Sequence, residues 1–175
     1  MFQNFEFRYS NLKFSVKILG IDPGSTRIGY GLIEAGGSKL KLIKSGLLKI
    51  ESSNKEERLL ELANSFEKIV EQERPDLVSI EKLFFVKNIK TGMDVAQSRG
   101  IIILICRQKK IAIVEYAPSE IKMNITGSGN ADKKAVAKMV KMILKTDEIT
   151  GPDDVYDAIA IAITAANHKR IMKHE

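Results

Sequence analysis

The segment ILGIDPGSTRIGYGLIE, residues 18 to 34, decides how this chain folds. Lys17 to Ile21 is a short, nearly continuous apolar run, as in a strand buried on both faces, and Asp22-Pro23-Gly24 stops it with a turn. A second run, Gly29 to Glu34, returns beside the first, and Gly36-Gly37 turns it into a third, Leu40 to Ile50. The chain therefore opens with a three-stranded antiparallel meander, and an acid stands where its first strand ends.

Beyond the meander the apolar period changes. Leu59, Leu62, Phe66, Ile69 and Val70 recur at helical spacing between Lys55 and Glu73. Asp76 to Glu81 is the next strand. Asn88 to Arg107 is a helix with Ile89, Met93, Ala96, Gly100 and Ile103 on one stripe, and Ile111 to Tyr116 is a strand again. Pro118 to Asn124 forms a helical turn, and TGSGN (126 to 130) is a loop whose Asn130 is placed to cap a helix running to about Lys145. A last helix begins near Gly151-Pro152 and continues to about Lys169. The order β-β-β-α-β-α-β-α-α predicts an α/β fold: a mixed five-stranded sheet, the meander plus two parallel strands, with helices on both faces. One domain is expected over 17–170, with an N-terminal extension (1–16) of no assigned role and a short tail (171–175).

At 175 residues, 44% hydrophobic and 29% charged, the chain has the composition of a folded globular domain rather than a disordered or rod-like one. Its longest apolar runs, 101–106 and 158–166, fall well short of the roughly 20 residues that span a bilayer. The first sixteen residues mix charges and amides among phenylalanines, unlike a signal peptide, so a cytoplasmic protein without a membrane partner is expected. Cys106 is the single cysteine, which excludes an intramolecular disulfide and reads as a buried, inert thiol. The net charge of +6 points to a polyanionic partner. Much of it is local: from Ser119 to Lys145 there are six lysines and two acids.

Four carboxylates stand out by position. Asp22 and Glu81 end strands, and ligands of α/β sheets collect outside the carboxyl ends of strands. Taken alone, Asp22 is also a turn residue, Glu81 a solvated charge, and Asp154 a favourable charge at a helix start. Asp157 lies beyond the first turn, on the face of Ala158, Ile161 and Ala165 that should pack on the sheet, where a carboxylate is costly unless a cation meets it. Oxygen ligands without Cys or His suit magnesium or manganese. The lack of ligand spacing around Cys106, His168 and His174 argues against zinc. Lys133 sits in the first turn of its helix, opposed to the macrodipole unless it meets an anion. Lys134, Lys138, Lys141 and Lys145 form a stripe that is either a solvated face or a phosphate track. Phe84 and Phe85, interleaved with Lys82, Lys87 and Lys90, offer one ring to the core and one to a groove.

The strand order and acid spacing resemble the ribonuclease H-like nucleases. More narrowly, ILGIDPGSTRIGYGLIE (18 to 34), IEKLFFVKN (80 to 88), QSRG (97 to 100), IKMNITGSGNADK (121 to 133) and DDVYDAIAIAIT (153 to 164) resemble the RuvC family of Holliday-junction resolvases. The resemblance runs from about Lys17 to Asn167. It implies that Asp22, Glu81, Asp154 and Asp157 hold two Mg2+ ions, with Mn2+ possible, and that Lys122 and Lys133 serve cleavage. It assigns Phe84 to the bases at the junction; by their charge and spacing, Lys87, Lys90 and the helical lysine stripe are expected on DNA. The resemblance further implies a homodimer, for which the stripe of Met93, Ala96, Gly100 and Ile103 is the expected seam. Four-way junction DNA and a branch-migration helicase complex are the implied partners. Two other readings stay open: a basic junction-binding protein that has lost catalysis, and a single-lobe actin-like ATP-binding protein, since strand-DPG-strand also builds a phosphate hairpin.

Overall fold

The computed structural model describes residues 15–48, 50–83 and 89–172. Its central strand, β1 (Val16–Asp22), is apolar from Ile18 to Ile21 because both of its faces are covered there: Ile18 is buried on one side, Leu19 and Ile21 on the other. β2 (Gly29–Gly36) and β3 (Lys39–Leu47) complete the antiparallel meander, with Gly37 at φ +54° in the tight turn between them. α1 (Lys55–Glu73) leads to β4 (Leu77–Glu81), and α2 (Ile89–Gln108) leads to β5 (Ala112–Tyr116). β4 runs parallel to β1 and β5 parallel to β4, so the sheet order is β3-β2-β1-β4-β5. α3 (Pro118–Thr126), α4 (Lys133–Leu144) and α5 (Asp153–Met172) follow.

The helices divide between the two faces. Leu62, Phe66 and Val70 of α1 and Ile102, Ile105 and Cys106 of α2 cover Leu19, Ile21, Val78 and Ile80. On the opposite face α5 lies against the sheet, and α3 and α4 lie against α5. α5 is therefore buried nearly all round from Ala158 to Ala166, not along the single stripe expected. Among the described residues no helix is long and apolar enough to cross a membrane.

Two other expectations are corrected. The cap of α4 is Asp132, whose carboxylate accepts from the Ala135 N–H at 2.7 Å, and not Asn130. A turn in which Ala131 N–H donates to Ser128 O holds 128–131 outside the helix. In α2 the stripe of Ile89, Met93, Ala96 and Gly100 is exposed, whereas Ile103 packs against the α1–α2 core. Leu104, 56% exposed, takes its place on the outer face.

α5 rests unusually close to the sheet, and glycines make this possible. A Cβ on Gly20 would lie 2.1 Å from Ala158 O, and one on Gly29 would lie 1.9 Å from Asp154 O. Both positions need the missing side chain so that main chain can meet main chain. Gly29→Ala is expected to lower stability by roughly 1 to 3 kcal/mol, the usual cost of overpacking. It should also push the start of α5 away from β2. A fall in Tm with a loss of metal-stimulated stabilisation would confirm this; an unchanged melting curve would contradict it.

Candidate active site

Sheet register places two acids side by side. Ile21 pairs with Ile80 between parallel β1 and β4, so the next residues, Asp22 and Glu81, end neighbouring strands. Alternation sends both side chains toward α5: two residues earlier in each strand, Gly20 abuts α5, and the buried Ser79 hydroxyl donates to Ile161 O at 3.2 Å. Asp22 is also opposite Gly29, and Gly29 touches the main chain of Asp154. The sequence thus carries Asp154 and Asp157, in the first turns of α5, to the end of the sheet where Asp22 and Glu81 stand.

The electrostatics show that these groups lie near enough to feel one another's charge. Burial, then repulsion from Glu81, Asp157 and Asp154, pushes the Asp22 carboxyl up to about 7, against a smaller opposing effect of Lys133. Burial and Asp157 push Glu81 up to about 7 as well, opposed by Lys122 and Lys133. Asp157 is raised by burial first, with Lys133 the main opposing charge. Asp22 thus feels the other three acids, Lys133 from the first turn of α4 acts on Asp22, Glu81 and Asp157, and Lys122 from α3 acts on Glu81 and Asp157.

Such a concentration of partly buried carboxylates is unfavourable by itself and fits a multivalent cation. Among the described residues no three of these acids already converge as a ready ligand cluster. Asp154 Oδ2 instead faces Arg27 Nη2 at 3.2 Å, and yet it is buried and accepts no hydrogen bond among the described residues. An orphaned carboxylate oxygen of this kind suits a metal ligand. Lys133 Nζ lies 3.5 Å from Asp153 Oδ2 at the exposed edge of the site.

The remaining expected residues separate. Lys134, Lys138 and Lys145 are exposed on α4, but Lys141 is half-buried with Nζ 6.0 Å from the Tyr156 ring centroid, so the track is narrower than the sequence stripe. Lys90 is exposed at the start of α2. Phe84, Phe85 and Lys87 lie outside the described residues. Cys106 is buried, and burial pushes its thiol up to about 12, as expected of an inert group. Sequence reasoning missed Arg27 and Asp153. The first reads as a turn residue and the second as a helix-start charge, and neither carries a local signal of its partner.

A mixed sheet with acids ending β1 and β4, crossed by a helix bearing two more, defines a nuclease of ribonuclease H-like fold. The family model described as crossover junction endodeoxyribonuclease RuvC matches residues 18–165. A protein of that name from Caldicellulosiruptor saccharolyticus is 47% identical over 150 residues, covering 85% of this chain and 90% of the relative. Another, from Thermosipho melanesiensis, is 42% identical over 148 residues, covering 84% and 94%. The solved structure of Thermus thermophilus RuvC in complex with Holliday junction substrate superposes with a TM-score of 0.83 at 28% identity, covering 90% of this chain and 96% of that one. This chain belongs to the RuvC family.

Proposed function

We propose that this chain is a structure-selective endonuclease of DNA recombination and repair. It would resolve Holliday junctions by nicking two symmetry-related strands, leaving 5′-phosphate and 3′-hydroxyl ends. The observation that carries this reading is the meeting of Asp22 and Glu81, at paired strand ends, with Asp154 and Asp157 of α5. The family match gives that site its substrate class. Residues 17–170 form the nuclease domain in this reading, and the cytoplasm is its compartment.

Asp22, Glu81, Asp154 and Asp157 would hold the divalent ions, two Mg2+ or alternatively Mn2+, which when bound supply an activated water and stabilise charge on the phosphate and the leaving 3′ oxygen. The chain's own residues orient that chemistry. The carboxylates are held by a central sheet and a buried helix, so their directions are fixed before DNA arrives. Lys133 would meet the phosphate from a helix start, where its charge favours an anion. Lys122, half-buried on α3, adds a second positive charge beside Glu81. Lys134, Lys138 and Lys145 would carry the flanking backbone, joined by Lys87 and Lys90, and Phe84 would stack on a base at the crossover.

Lys133→Ala should slow cleavage more than it weakens binding. The double change of Lys134 and Lys138 to Ala should do the reverse, flattening the dependence of log K on log salt by roughly 0.9 per lost contact. Identical salt slopes for that variant and the wild type would show these two lysines to be merely solvated.

The described residues bring these four acids to one end of one sheet, and an open junction has two-fold related strands, so paired nicks call for a dyad. The exposed face of α2, with Ile89 at 78% and Met93 at 62% exposure beside Ala96 and Gly100, is the surface proposed for a second copy. Space around Gly100 is open within the chain, so Gly100→Leu leaves the fold intact while obstructing a close helix pairing. A shift to monomer in light scattering, with single nicks replacing paired ones, is the expected result; an unchanged dimer contradicts this seam. A branch-migration helicase complex is the remaining partner in this reading.

The reading is tested by incubating a synthetic four-way junction, and a linear duplex of the same sequence, with Mg2+ or with chelator. Cleavage confined to the junction and to Mg2+ supports it. Tight junction binding without cleavage under either condition would favour the catalytically silent alternative.

A further inference from the structure

The turn that joins β1 to β2 carries an arginine that the chemistry above does not use. Arg27 reaches across to α5, where its Nη2 lies 3.2 Å from Asp154 Oδ2. Backbone packing fixes both ends of this contact. A Cβ on Gly24 would fall 1.9 Å from Arg27 O, so the turn is folded tightly on the main chain of Arg27. Gly29, two residues on, approaches the main chain of Asp154 equally closely. The fold therefore sets the two residues opposite each other.

The side chains themselves are held loosely. Asp154 Oδ2 accepts no hydrogen bond among the described residues, so the pair lacks the aligned two-pronged geometry that makes arginine–carboxylate contacts strong. Arg27 is 63% exposed, so solvent competes for the guanidinium and leaves it free to turn away, although Asp154 Oδ2 itself is buried. A guanidinium cannot escape a new positive neighbour by losing its proton, because its pKa is too high. It can only turn to another anion. If a divalent ion takes Asp154, the anion within reach of an exposed arginine at the rim of the site is the DNA backbone.

We propose that Arg27 is a positioning residue: it is the counter-ion of Asp154 while the site holds no metal, and it passes to a DNA phosphate when a divalent ion takes that carboxylate. The inference rests on the nuclease reading. It makes metal loading and the grip on DNA one coupled event, in which the ion and the arginine compete for Asp154 until substrate separates them.

The test uses the full chain and its Arg27→Gln and Arg27→Lys variants, with Ca2+ as the probe ion under conditions where a gel shows no cleavage. Without DNA, calorimetric titration should show that Arg27→Gln binds Ca2+ about three- to tenfold more tightly, because a competing charge is gone. Junction binding is then measured across a salt series. In chelator, wild type and Arg27→Gln should share one slope, whereas in Ca2+ the wild type should be steeper by about 0.9, one phosphate contact, with Arg27→Lys close to wild type. Unchanged Ca2+ affinity in Arg27→Gln overturns the proposal. So does a slope difference that is present equally in chelator or absent in both conditions. Failure of the nuclease reading would appear separately, as no Mg2+-dependent cleavage by the wild type, while the Ca2+ titration would still report on Arg27 and Asp154.

Discussion

Asp22→Asn is expected to reduce junction cleavage by about 10³-fold or more, on the order of 4 kcal/mol of barrier, while leaving junction binding in chelator intact. Asp22 is the acid that feels all three of the others, so removing its charge removes the common member of the cluster. The change is nearly isosteric. It also imitates a form that the metal-free chain already adopts near neutrality, since burial and its neighbours push Asp22 up to about 7. The fold should therefore survive, and at pH 8 the metal-free variant should melt higher than the wild type by several degrees. A Tm that falls instead would show that Asp22 makes a structural contact, and near-normal cleavage would remove it from the site.

The second large effect is in pH. Asp22 rises from 3.8 and Glu81 from 4.5, each to about 7. A carboxyl whose folded value is raised holds more protons in the native state than in the unfolded one between those limits. Stability from these groups is thus greatest at low pH, falls as pH rises from about 4 to about 7, and is fully lost above. At about 1.4 kcal/mol per pH unit for one group, and less than twice that for a coupled pair, metal-free protein at pH 8 should be less stable than at pH 5 by roughly 2 to 4 kcal/mol from this source. Metal affinity runs the opposite way, because a divalent ion must displace those protons. Between pH 8 and pH 6 the affinity for Mg2+ should drop by about 10- to 100-fold. Calorimetry at pH 6.5 in two buffers of different ionisation enthalpy should record release of more than one proton per site. A flat affinity with no proton release would show that Asp22 and Glu81 are not ligands.

Much of this site was legible because its parts carry local signals. Asp22 follows an apolar strand and precedes Pro-Gly, Glu81 ends a strand, and Asp157 is a charge on a helix that is otherwise apolar. α1 was legible to the residue, since its apolar spacing between Lys55 and Glu73 is regular. What stayed hidden depends on partners far along the chain. Gly20 and Gly29 look like ordinary strand glycines until α5 is laid on them. Arg27 looks like a turn residue until Asp154 stands opposite. In α2 both faces are apolar, with Ile102, Ile105 and Cys106 inside and Ile89, Met93 and Leu104 outside, so period alone could not separate the exposed side from the core. The cap of α4 was displaced because Asn130 and Asp132 both suit that role and only the turn at Ser128 to Ala131 decides between them.

The most direct measurement labels each of the four strands of a synthetic junction in turn and follows wild-type protein with Mg2+ on a denaturing gel, with Asp22→Asn alongside. The account predicts nicks on one symmetry-related pair of strands, at matching positions, yielding duplexes that ligase seals without further processing. It predicts none with Asp22→Asn. Equal cutting of linear duplex, ends that ligase cannot join, or undiminished nicking by Asp22→Asn would contradict it.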